Sequence, residues 1–108
     1  MKVFFDEYVP RPLKNSLPGH DIHTAQEMEW GRLKNGELLR RAEEQGFQVF
    51  VASDQNLSYQ QNLSERQIAI LVLATNYWPT LRNNVAVIEN ALRSLRPGHY
   101  LELSFPVS

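Results

Sequence analysis

Ile68-Ala69-Ile70-Leu71-Val72-Leu73-Ala74 is an apolar run with no polar residue to mark a solvent side. A surface helix would break such a run every three or four positions, and a half-exposed strand at every second one. A short run that never breaks suits a strand covered on both faces, the usual state of strands in parallel sheets. Val3-Phe4-Phe5 reads the same way and ends in acid at Asp6-Glu7. Phe47 to Ala52 is another β-rich apolar stretch, followed shortly by Asp54.

The segments between these runs read mostly as helices. Pro10-Arg11-Pro12 suits a helix start, where a missing N–H costs nothing. Leu13 and Leu17 then share one face before Pro18-Gly19 stops the segment. Asp21 to Thr24 is a weaker strand, and Ala25 to Lys34 reads as a loop with Trp30 as its large apolar anchor. The helix expected from residue 35 has Glu37 in its first turn, where the helix dipole favours negative charge. Leu38, Leu39 and Ala42 form its apolar stripe and Gly46 ends it. A short helix is expected between Asp54 and Ile68. Leu81, Val85, Ile88, Leu92 and Leu95 predict one amphipathic helix over Pro79 to Leu95, closed by Pro97-Gly98. Tyr100 to Phe105 alternates, with Leu101, Leu103 and Phe105 on one side, as an edge strand does. Strands alternating with helices imply an α/β fold around a mainly parallel sheet of four or five strands.

Composition narrows the class. The 108 residues suit a single domain over 1–108. Eleven basic and twelve acidic residues leave a net charge of −1, which argues against a general nucleic-acid coat but not against a local basic patch. The chain has no cysteine, so disulfides, thiolate nucleophiles and cysteine zinc sites are excluded. The apolar runs fall far short of the ~20 residues needed to span a bilayer. The opening run is also shorter than a signal-peptide core. A soluble cytoplasmic protein, with no membrane partner, is the expectation.

The acids give the main functional signal. In a parallel sheet the functional crevice lies outside the carboxyl ends of the strands. Asp6 and Glu7 follow one strand and Asp54 follows another. Glu37 starts a helix that runs antiparallel to the strands, so it belongs at the same rim. Clustered carboxylates repel one another unless a cation joins them. Magnesium or manganese takes such oxygen ligands, polarises a phosphodiester and activates water. Metal-assisted phosphodiester hydrolysis is the expectation, with Asp6, Glu37 and Asp54 as catalytic metal ligands and Glu7 as a neighbour. Arg11, Lys14, Lys34 and Arg41, with Arg32 and Arg40, are placed to hold substrate phosphate. Each acid also has a plain structural role open to it: a turn for Asp6, a dipole-friendly pair with Arg41 for Glu37, an Asx turn for Asp54. His20 and His23, three apart on a strand, point to opposite faces and suit zinc poorly. Trp30, Tyr59, Tyr77 and Trp78 offer either base stacking or ordinary packing.

These residues carry a family resemblance over nearly the whole chain. Val3-Phe4-Phe5-Asp6-Glu7-Tyr8-Val9-Pro10 is similar to the opening of small PIN-like proteins. Gly19-His20-Asp21-Ile22 resembles their second strand, Asn35-Gly36-Glu37-Leu38-Leu39 their helix start, and Val49 to Asn56 their acid-bearing strand end. The resemblance implies a PIN-like three-layer α/β/α sandwich and a magnesium- or manganese-dependent endoribonuclease acting on RNA. Some such proteins are the toxins of bacterial toxin–antitoxin pairs, which implies a cognate antitoxin partner. Position by position, Asp6, Glu37 and Asp54 become the metal-binding acids. A fourth acid of the family pattern is replaced here by amides, at Asn56, Asn62 or Asn76.

Two other readings follow from the same residues. A catalytically inactive interaction module would keep the fold, with the edge strand Tyr100 to Phe105 open to a partner or a homodimer. A receiver-like phospho-acceptor would use Asp6-Glu7, Asp54 and Thr75, but no lysine follows Lys34 to complete that set.

Overall fold

The computed structural model describes residues 1–33, 35–53 and 67–105. Five strands form one sheet: β1 (Lys2–Phe5), β2 (Asp21–Thr24), β3 (Val49–Ala52), β4 (Ala69–Leu73) and β5 (Tyr100–Leu103). Their order is β2-β1-β3-β4-β5, and each adjacent pair is parallel. The parallel α/β architecture read from the apolar runs is therefore present, with five strands.

Alternation along the strands sends side chains into two cores. Val3, Phe5, Val49, Val51, Leu71 and Leu73 face one side. There they meet Leu13 of α1 (Pro12–Asn15), Leu81 of α4 (Trp78–Arg82) and Ile88 and Leu92 of α5 (Val85–Ser94). Phe4, Phe50, Ile70 and Val72 face the other. They are covered by Ala25 of α2 (Ala25–Met28), by Trp30, and by Leu38, Leu39 and Ala42 of α3 (Asn35–Glu44). Helices thus lie on both faces, which is why β3 and β4 are buried along their whole length.

Two local expectations are corrected. Residues 25–28 form a helix rather than a loop, because Thr24, the last residue of β2, also caps it: its Oγ1 accepts the Glu27 N–H at 3.1 Å. The single helix expected over Pro79 to Leu95 is two, α4 and α5, parted at Asn83 and Asn84. The Asn84 side-chain amide donates to the Thr80 carbonyl at 2.8 Å, so that helix end is satisfied by a side chain. The apolar periodicity survives because both helices rest on the same face. The short helix expected between β3 and β4 lies outside the described residues.

β5 takes its predicted place at the sheet edge, with Leu101, Leu103 and Phe105 packed towards α4 and α5 and Tyr100 towards the opposite core. No helix among the described residues is long and apolar enough to cross a membrane.

Strand order fixes where a site can form. From β1 the chain moves to β2 on one side, through α1. From β2 it crosses to β3 on the other side of β1, through α2 and α3 on the opposite face. The chain reverses between β1 and β3, and in open parallel sheets the carboxyl ends of the strands at such a point are where ligands generally bind.

Candidate functional site

Asp6 stands at that point. The register pairs Phe5 with Val51 and with Thr24, so Asp6 sits level with the carboxyl ends of both neighbouring strands. Its N–H continues the ladder to the Val51 carbonyl at 2.9 Å, and its own carbonyl accepts the Val9 N–H at 3.1 Å, closing a tight turn. Its Oδ1 accepts the Glu7 N–H at 2.9 Å. Asp6 is 5% exposed and, with Thr24, makes up the buried polar and charged residues among those described. A carboxylate buried at the end of a central strand is expensive unless its position is used or compensated.

Glu7 is exposed beside it. Its backbone carbonyl accepts from the Gln26 side chain at 3.2 Å, and its carboxylate lies against Gly31, where a Cβ would come within 3.1 Å of Oε2. Ser53 follows β3, and its Oγ is buried with no hydrogen-bond partner among the described residues. A buried unpaired hydroxyl is uncommon and calls for a partner. Asp54 and Asn56, the next predicted ligands along the chain, lie outside the described residues.

Glu37 is at the same rim, in the first turn of α3, on the solvent side of that helix. Its Oε1 is 3.7 Å from Arg40 and 3.6 Å from Arg41. The structure therefore brings Glu37 to two guanidiniums of its own helix. Among the described residues no three histidine, aspartate or glutamate side chains gather into a group that would hold a metal.

Of the cations predicted to hold phosphate, Lys14 is committed to Glu27 at 2.6 Å, which ties α1 to α2, and Arg41 to Glu37. Lys34 lies outside the described residues. Arg11, at the start of α1, is exposed and makes no ion pair with a described residue, and the same holds for Arg32 beside Gly31. The two histidines turn to opposite faces as the strand period requires. His20 is partly buried, with Nε2 2.8 Å from Glu89 of α5, while His23 contacts Asp21 and the edge of Phe47.

The aromatics separate cleanly. Trp30 is buried against Phe4 and Phe47, and Trp78 is partly buried against the α1 side of the sheet. Tyr77 is 64% exposed and Tyr8 58%. Tyr59 lies outside the described residues. Sequence reasoning passed over Tyr8. The available signal was its place in the turn between Asp6 and Pro10, which a strand end must make in the open.

Glu89 gives a pH prediction. Burial pushes its carboxyl up, but bonds from Arg93 at 2.7 Å and from His20 outweigh that and hold it below the ordinary 4.5. A depressed folded-state value stabilises the protein above about pH 4.5 and the gain is lost as pH falls through that lower value. Urea denaturation of Glu89→Gln is expected to show a loss of up to about 1 kcal/mol at neutral pH, shrinking towards zero below pH ~4. A loss that stayed constant across that range would contradict the assignment.

Comparison with protein-family models, with curated proteins and with solved structures finds no match to this chain.

Proposed function

We propose that this chain is a PIN-like, divalent-metal-dependent endoribonuclease whose working site is the carboxyl rim between β1 and β3. The observation that carries the reading is Asp6, a buried carboxylate locked by its backbone at the switch point of an all-parallel sheet. The donor set suits a hard cation, since Asp6 and the Ser53 hydroxyl, which has no partner among the described residues, offer oxygen at neighbouring strand ends. Asp54, next after Ser53 in the sequence, adds a third oxygen donor to this reading, and Glu37 and Glu7 supply charge at the rim. Magnesium or manganese bound there would polarise a phosphodiester and lower the pKa of an attacking water. The protein's own part is to hold the carboxylates still, to exclude bulk water around Asp6, and to balance the phosphate with Arg11 and Arg32. In this reading the natural substrate is a cellular RNA in the cytoplasm, and a cognate antitoxin would act by covering the rim.

The strand order also suits a phospho-acceptor domain of the receiver kind, which has the same switch point. The absence of lysine after Lys34 weighs against it, and acetyl phosphate labelling would reveal it. Purified protein incubated with labelled RNA is expected to cut it in manganese or magnesium and to leave it intact in EDTA. Intact RNA at high enzyme concentration with either metal, or equal cleavage in EDTA, would refute the nuclease.

A further inference from the structure

The sheet has two outer edges, and the chain treats them differently. At β2 the layers on either face are joined by the Lys14–Glu27 ion pair, and the strand runs straight into α2. Such devices keep an edge from pairing with another chain. β5 has none among the described residues. Its ladder to β4 fixes which backbone groups face outwards. The Ile70 N–H donates to the His99 carbonyl and the Ala74 N–H to the Leu103 carbonyl, both at 2.9 Å. Residues 99, 101 and 103 therefore turn their backbone towards β4. Phe105 packs on the same core as Leu103, so the chain stays extended through Ser104. The N–H and carbonyl groups of Glu102 and Ser104 thus face away from the sheet, with no hydrogen-bond partner among the described residues.

An apolar strip runs beside this edge. Leu101, Leu103 and Phe105 are only half-buried against the α5 side of the sheet. Val87 of α5 is 42% exposed. Two positions along a helix are about 200° apart around its axis, so Val87 and Glu89 lie on opposite flanks. Glu89 reaches His20 at the head of β2, which leaves Val87 on the flank towards β5.

We propose that β5 is a dimer interface, pairing antiparallel with β5 of a second copy about a two-fold axis at Leu103, so that two sheets join into one of ten strands. A two-fold contact needs a surface that complements itself. Leu101-Glu102-Leu103-Ser104-Phe105 reads apolar, polar, apolar, polar, apolar in either direction. With the axis at Leu103, that residue faces its own copy, Leu101 faces the partner's Phe105, and Glu102 faces the partner's Ser104. The outward backbone groups of Glu102 and Ser104 are the ones that then exchange hydrogen bonds. Neighbouring registers are worse. An axis at Glu102 sets two like charges directly opposite each other. An axis at Ser104 sets Glu102 opposite Pro106, which has no N–H to give. Antiparallel edge pairing requires the axis to stand normal to the sheet, so the α5 helices of both copies lie on one face. The half-buried leucines and the exposed Val87 of the two copies then share one apolar seam. Asp6 follows β1, three strands from β5, so the interface is independent of the chemistry proposed for the rim.

The test is sedimentation velocity on the full chain at high micromolar concentration, where wild type is expected at twice the chain mass. Ser104 is exposed, and Ser104→Pro removes only an outward N–H, so this variant should fall to the monomer mass with an unchanged circular dichroism spectrum. The chain has no cysteine, so introduced ones report the register. Directly opposite residues of a non-hydrogen-bonded pair have Cα atoms about 4.5 Å apart, within the ~4.4–6.8 Å span of a disulfide. Leu103→Cys should therefore cross-link to itself on oxidation. Ser104→Cys alone should not, but mixed with Glu102→Cys it should. Both of these positions are exposed, so the mixed pair reads the register even where Leu103→Cys does not fold. A monomeric wild type would overturn the proposal and leave the edge to a strand of another protein. A Ser104→Pro variant as dimeric as wild type would place the interface elsewhere. Ser104→Cys cross-linking to itself as readily as to Glu102→Cys would refute the register.

Discussion

Phe4→Ala is expected to cost about 3–5 kcal/mol of folding stability. Phe4 is wholly buried in β1, with its ring 5.4 Å from Trp30, 5.5 Å from Phe47 and 5.3 Å from Phe50. Those partners come from the loop after α2, the turn before β3, and β3 itself, so one ring joins three separate parts of the chain. Truncation removes the transfer free energy of the ring and leaves a void that backbone-paired neighbours cannot close, because β1 is held by β2 on one side and β3 on the other. A domain of this size has about 5–15 kcal/mol in total, so the variant would sit near the edge of folding. Urea denaturation should show a large fall in midpoint at unchanged slope. Phe4→Leu, which refills most of the space, should recover more than half of the loss. A cost for Phe4→Ala below about 1.5 kcal/mol would mean that the aromatic cluster is not what joins these segments. Its consequence for function is direct, since Phe4 is two residues from Asp6 on the strand that carries it.

Burial on two faces is a property of composition along a strand, and it is therefore legible without coordinates. Ile68 to Ala74 could be satisfied only by helices above and below, and β4 has both of its faces covered. The break at Asn83–Asn84 was hidden for the complementary reason. Periodicity reports which face is apolar, and both α4 and α5 turn that face to the same core, so the pattern runs through the break unaltered. What parts them is a side-chain bond from Asn84 to Thr80, a local alternative to the helix ladder that apolar spacing does not register. Thr24 escaped notice because it serves two elements at once, ending a strand and capping a helix.

The candidate site divides along the same line. Asp6 was legible because an acid directly after a buried strand has nowhere to go but the rim. Helix direction assigns Glu37 to the same rim, and its i,i+4 spacing to Arg41 already offered the pair that the structure shows, while the added contact with Arg40 depends on rotamers that spacing does not fix. Ser53 and Tyr8 are marked in the sequence only by position, one just before Asp54 and the other in the turn after Asp6. The first matters because its hydroxyl is buried and unpaired among the described residues, the second because its ring is not buried. Both are statements about solvent, which a sequence pattern gives only on average.

Asp6→Asn is expected to abolish metal-dependent RNA cleavage, with a loss well beyond about 100-fold, while leaving the chain folded. The substitution keeps volume and shape. The two backbone bonds of residue 6, to Val51 and from Val9, do not involve the side chain, and an amide oxygen can still accept the Glu7 N–H. What changes is charge. An amide is a poor ligand for a hard cation, and changes even in the groups that merely orient metal ligands typically cost about 10- to 100-fold, so loss of a direct ligand costs more. The metal-free melting temperature should therefore stay close to that of wild type, because burying a neutral amide is easier than burying a carboxylate. The response to manganese should differ sharply. At about 100 times its dissociation constant the ion stabilises the folded state by about 2.7 kcal/mol, which for a domain of this size is a rise of roughly ten degrees or more. Wild type should show that rise and Asp6→Asn should not. The two readouts together separate the explanations. Lost cleavage with an unchanged manganese response would place the metal elsewhere and leave Asp6 a structural turn residue. Unchanged cleavage would remove the rim from the chemistry altogether.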